Sequence, residues 1–111
     1  MTGRMMGMLP ISGETWEGDA AVPPTLEWAQ AFVGAGADEA IVQVVNLLVD
    51  GQPAQMLINE NAKILGMPLN DPASRLWIRE QHRVAGRRLH MGELDYICGP
   101  ALILIGAAMW P

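Results

Sequence analysis

There is one cysteine in the sequence, Cys98, which removes any intrachain disulfide and with it the disulfide-built secreted scaffold. With apolar neighbours and nothing in sequence to activate it, Cys98 reads as a small buried hydrophobe rather than a nucleophile. Charge is also scarce: 17% of residues are charged, and 7 Lys and Arg stand against 12 Asp and Glu, a formal charge of -5. That acid excess argues against a generally basic nucleic-acid binder, because phosphate binding depends on Lys and Arg displacing counterions. The acids are dispersed, with Asp38-Glu39 the only adjacent pair, so DNA mimicry is not indicated either.

Long hydrophobic runs are missing too. The most apolar stretch, Ala101 to Trp110, falls short of the roughly 20 residues that cross a bilayer, even when counted from Ile97. Met1 to Pro10 is interrupted by glycine and lacks the apolar centre of a signal peptide. The expectation is a cytoplasmic protein without membrane association. No glycine-rich loop ending in Lys-Ser or Lys-Thr exists to cradle a triphosphate, and no repeat or low-complexity linker is visible.

What the chain does have is burial material. Half of its 111 residues are apolar, enough for one core, while the length is too small for two full domains. Residues 1–24 show no sustained periodicity and read as an irregular segment with one candidate edge strand, Met8-Leu9-Pro10-Ile11, a turn at Ser12-Gly13-Glu14 and extended chain at Val22-Pro23-Pro24. Residues 25–111 then read as one compact α+β domain.

Within it, Thr25 is a helix cap and Leu26, Ala29, Phe32 and Val33 recur at helical spacing, predicting a helix over 25–33 that stops at Gly34 or Gly36. The β-branched run 41–49 predicts a strand, Asp50-Gly51 a turn, and 55–59 a return strand with Pro53 in the loop or at the strand start. Asn70 or Asp71 caps a second helix over 71–85, with Pro72 in its first turn and Gly86 weakening or ending it. After a bend at Gly99-Pro100, the unbroken hydrophobicity of 101–105 predicts a central strand covered on both faces. The fold class is therefore a small α+β domain with a short mixed or antiparallel sheet packed by two helices.

Several motifs in this stretch resemble a family of small phage and plasmid proteins, domain of unknown function 3846. They are Thr25-Leu26-Glu27-Trp28 with Val33-Gly34, the strand Ile41 to Leu48, the block Asn59-Glu60-Asn61 through Gly66-Met67-Pro68-Leu69-Asn70, and Gly99-Pro100-Ala101 leading into Leu102-Ile103-Leu104-Ile105. The resemblance spans residues 25–106; Asn61 stands where that family carries a glycine, and the basic segment 78–92 is longer than its pattern. It implies a compact α+β fold and a mobile-element context, and it implies no activity.

Candidate chemistry is thin. His82 and His90, eight residues apart with Glu93 and Asp95 nearby, lack the close paired ligands of structural zinc, so no metal or cofactor is expected. Asn59 and Glu60 form a polar strand end for which three readings compete: a local turn stabilised by side-chain hydrogen bonds, a contact for a partner, or a carboxylate for acid-base work. The one concentrated electrostatic feature is basic. Arg75, Arg79, Arg83 and Arg87 recur every four residues, followed by Arg88, and would lie along one slowly drifting helix face. Guanidinium groups so arranged grip an acidic protein surface or phosphates, or form a solvated face partly neutralised by Glu80. Trp16, Trp28, Trp77 and Trp110 lie too far apart, without basic residues interleaved, to suggest a base-stacking platform, and are expected to pack in the core or to make one protein contact each.

The expectation is thus a non-enzymatic accessory or regulatory protein of a mobile element that binds a protein partner through Arg75, Arg79, Arg83, Arg87, Arg88, Asn59 and Glu60. The alternative is nucleic-acid binding through the same arginines, and strand edges make a homodimer plausible.

Overall fold

The last strand in the chain is the middle of the sheet. In the computed structural model, which describes residues 2–36 and 40–111, Leu102, Ile103 and Leu104 are fully buried, and consecutive side chains enter two different cores. Asp38 and Glu39 lie outside the described residues.

The elements run β1 (Gly3–Met8), β2 (Thr15–Ala20), α1 (Leu26–Gly34), β3 (Val42–Val49), β4 (Gln52–Asn59), α2 (Asp71–Ala85) and β5 (Ala101–Gly106), with a 3-10 turn at Met91–Glu93. The five strands order as β2-β1-β5-β4-β3, and every neighbouring pair is antiparallel. One face carries Met8, Leu47, Ala54, Met56, Ile103 and Ile105 against Ala73, Leu76 and Trp77 of α2. The other carries Leu57, Leu102 and Leu104 against Ala29 and Val33 of α1. The sheet therefore sits between its two helices, which is why β5 has no polar side: burying each of its large side chains contributes about 1.5–3 kcal/mol.

Local chemistry sets the element ends. Thr25 Oγ1 accepts from Trp28 N at 3.1 Å, starting α1 as expected. It ends at Gly34 as expected, with Ala35 in the left-handed cap position at φ 50° and Gly36 following at φ 86°. Leu26, expected on the packed face of α1, is half exposed. Asp50 and Gly51 both have positive φ, 50° and 77°, the two-residue turn that matches strand twist. So tight a turn starts β4 at Gln52, three residues before the expected start, with Val49 opposite Gln52. Pro53 is tolerated inside β4 because its pairing with β5 begins only at Ala54, so the missing N–H faces no partner carbonyl.

The largest departure is at the N-terminus. Residues 3–20, expected to be irregular apart from a short edge strand at 8–11, form a full hairpin. Its turn includes Ser12-Gly13-Glu14 as expected, with Leu9 N donating to Glu14 O at 2.8 Å. But β1 is interior, between β2 and β5. Two glycines conceal this strand by breaking its apolar alternation. A Cβ on Gly3 would stand 2.3 Å from Ala108 N, and one on Gly7 would stand 2.3 Å from the Trp16 ring.

Candidate functional site

α2 begins at a buried polar knot. Asn70, with no exposed surface, accepts from Ala73 N at 3.2 Å and donates through Nδ2 to Met8 O at 3.0 Å and Gly99 O at 2.8 Å. One turn on, Ser74 Oγ accepts from Ile97 N at 2.8 Å and donates to Ile97 O at 3.1 Å. These bonds fix the helix axis against β1 and the approach to β5, and so fix where the arginines project.

Arg75, Arg79 and Arg83 are exposed on α2, and Arg87 and Arg88 are exposed just past its cap at Gly86. They are not equivalent. Arg75 pairs with Asp71 one turn back at 2.7 Å, and Arg87 reaches Glu93 at 3.2 Å. Arg83 holds Glu80 with a fork of two hydrogen bonds, from Nε at 3.0 Å and from its terminal nitrogen. Arg79 and Arg88 have no carboxylate within reach among the described residues. The row is therefore not one continuous positive stripe: three of its members are already answered by the chain's own acids.

Glu80 is the residue whose importance the spacing of charges does not reveal. Its side chain is buried, and besides Arg83 it accepts from the backbone N–H of Leu48 on β3 at 3.1 Å. The Arg83 hydrogen bonds lower its pKa below the ordinary carboxylate value, burial opposes that, and the Leu48 N–H adds to the lowering. The same contact raises the Arg83 pKa. One signal was available: Ala73, Trp77 and Glu80 share the inward face of α2, and an acid on that face needs an internal partner.

Asn59 and Glu60 belong elsewhere. They line a small recess of about 80 Å³ with Lys63, Asp95 and Tyr96, among others, and none of the five arginines reaches it. Asn59 is buried and closes the local turn, accepting from Asn61 N at 3.0 Å, while the exposed Glu60 is tied, among the described residues, through its backbone N–H to Ile41 O at 2.8 Å. Lys63 pairs with Asp95 and stands 4.2 Å from the Tyr96 ring centre. His82 Nδ1 accepts from Leu89 N at 2.8 Å, ordering the chain after α2. Among the described residues no group of three His, Cys, Asp or Glu stands together as a metal site. No helix among them is long and apolar enough to cross a membrane.

Of the four tryptophans, Trp77 and Trp110 pack against the two cores, and Trp16 and Trp28 join an aromatic cluster with Phe32. Trp28 stacks on Phe32 at 5.6 Å and 9°, and Trp16 meets both edge-on at 6.4 and 5.9 Å, pinning β2 to α1. The Trp110 indole donates to Pro24 O at 2.9 Å.

Fold and surface define a three-layer antiparallel α+β domain with a mixed-charge helix on one outer face. No protein-family model, curated protein or solved structure matches the chain.

Proposed function

We propose that this chain is a non-enzymatic accessory or regulatory protein of a mobile genetic element, acting in the cytoplasm by binding a protein partner through the outer face of α2 and the segment after it. One observation carries the reading: Arg79 and Arg88 are exposed without a carboxylate partner among the described residues, while Val84 and Met91 nearby in the chain are 71% and 91% exposed. Free guanidinium groups next to exposed apolar side chains suit a protein surface, where arginine contributes both charge and contact area. The mobile-element context rests on the sequence resemblance at Asn59 to Asn70 and Gly99 to Gly106.

Nucleic-acid binding through the same arginines is the competing reading. Against it, Asp71 and Glu93 are exposed on the same surface, paired to Arg75 and Arg87. A phosphate backbone would meet these carboxylates as like charges, whereas a protein surface of mixed sign fits both.

The test reverses only uncommitted charges. Arg83 supports Glu80, so its reversal would damage the fold; Arg79→Glu with Arg88→Glu leaves every ion pair described above intact. The wild-type chain used as bait in native lysate recovers a stoichiometric protein, and the double variant, with unchanged melting temperature, binds it about tenfold or more weakly. Equal capture by the double variant refutes the reading. Tight oligonucleotide binding that falls steeply with salt replaces it with the nucleic-acid alternative.

A further inference from the structure

β3 is an edge strand, and its open side is delimited in a particular way. Odd-numbered residues of β3 face β4, in phase with the bond from Glu60 N to Ile41 O, so Val42, Val44, Asn46 and Leu48 turn their backbone groups outward. Of that outward series, Leu48 N is taken by Glu80 at 3.1 Å. Continuing in the same phase, Ala40 O is taken by Gln30 Nε2 at 3.2 Å. Between these two clasps the outward groups of Val42, Val44 and Asn46 have no partner among the described residues. Nothing on the strand deters pairing: Val42 to Val49 contains no charge and no proline, the usual guards of an exposed edge.

We propose that this interval is a homodimer interface, in which a second copy adds its own β3 antiparallel about a two-fold axis at Val44 and joins two five-stranded sheets into one. Three features favour a second copy over an unrelated strand. The clasped groups, Ala40 O and Leu48 N, lie four residues to either side of Val44, so a two-fold there opposes one copy's clasp to the other's and leaves only the free groups to pair. Val42 then meets Asn46 of the other copy, Val44 meets Val44, and each N–H finds a carbonyl. A two-fold also sets every position against its symmetry mate, which a neutral strand accepts without like-charge contact.

The third feature is steric. Val44 and Leu48, on the α1 side of the sheet, are 37% and 36% exposed. In this register Leu48 of each copy falls beside Ala40 of the other, at a recess of about 630 Å³ lined by Leu26, Gln30, Ala40, Ile41, Val42 and Trp110. The interface borders the arginine surface at one end, where Arg83 holds the Glu80 that clasps Leu48 N, and its test uses neither Arg79 nor Arg88.

Sedimentation velocity over a concentration series from nanomolar to hundreds of micromolar tests it. The wild-type chain sediments with doubled mass at the upper end. Val44→Pro, which removes an outward N–H that β4 does not use, abolishes the dimer with an unchanged circular dichroism spectrum. Val44→Lys does the same by setting two ammonium groups on the axis, and decides the matter should the proline variant unfold. Register is read by cysteine pairing with oxidised glutathione, with Cys98 buried and silent: Val44→Cys links to itself, and Asn46→Cys, whose mate is Val42, does not. A wild-type chain that stays monomeric throughout, a dimer that survives Val44→Lys, or equal linkage of the two cysteine variants overturns the proposal.

Discussion

Asn70 joins three segments that are distant in the chain, and replacing it separates two kinds of stabilisation. Asn70→Ala removes the α2 cap, a loss of about 1 kcal/mol. It also strands the carbonyls of Met8 and Gly99, to which Nδ2 donates at 3.0 and 2.8 Å. An unsatisfied buried polar group costs about 1–3 kcal/mol each. The expected loss is about 3–7 kcal/mol, a large share of the roughly 5–15 kcal/mol that holds a typical domain together. Asn70→Asp sharpens the test, because aspartate caps as well as asparagine but turns a second carboxylate oxygen toward two carbonyls. At neutral pH it is therefore at least as damaging as alanine. In acid the new carboxyl protonates in the folded state before it would in the unfolded chain, so the penalty shrinks as pH falls. Urea unfolding with an unchanged m-value measures both variants. An alanine variant within about 1 kcal/mol of wild type, or an aspartate penalty that ignores pH, refutes this account of the knot.

The remaining predictions concern the sheet's two edges. Glu80 has a folded pKa below its unfolded value near 4.5, so its contribution is complete above that value and disappears as pH falls through the lowered folded pKa. Glu80→Gln flattens that acid limb of the stability profile, measured by urea titration at stepped pH; an unchanged limb rejects the role. At the other edge, Trp16→Ala removes two edge-on aromatic contacts and costs about 2 kcal/mol. Gly7→Val displaces the same indole from above β1 and gives a comparable loss together with altered tryptophan fluorescence. If Gly7→Val melts as the wild type does, the close approach of Trp16 to Gly7 is not what holds β2 in place.

Much of this architecture is written in short local signals. Thr25, Asp50-Gly51, Asn70-Asp71-Pro72 and Gly86 each fix a chain direction through their own backbone chemistry, and the structure has them acting at those places. The unbroken apolar run 101–105 announces a strand buried on both sides, since only such a strand lacks a polar alternate. The N-terminal hairpin is illegible for the opposite reason. Gly3 and Gly7 are spaces left for atoms that arrive from elsewhere, Ala108 and Trp16, and a space has no periodicity. The candidate surface is legible only in part: four-residue spacing places Arg75, Arg79 and Arg83 on α2, but which of them is free depends on carboxylates whose positions the fold decides. Glu80 shows the limit most clearly, because its backbone partner, Leu48, lies 32 residues away.

The strand order β2-β1-β5-β4-β3 has a consequence for biosynthesis. Each hairpin is translated long before β5, yet the two do not pair with each other, and the slot between them is filled by a strand made after both. Until then β1 and β4 each present an unsatisfied inner border and half of a core. The nascent chain is thus two incomplete halves that a single late segment zips together, a state that invites chaperones and aggregation alike.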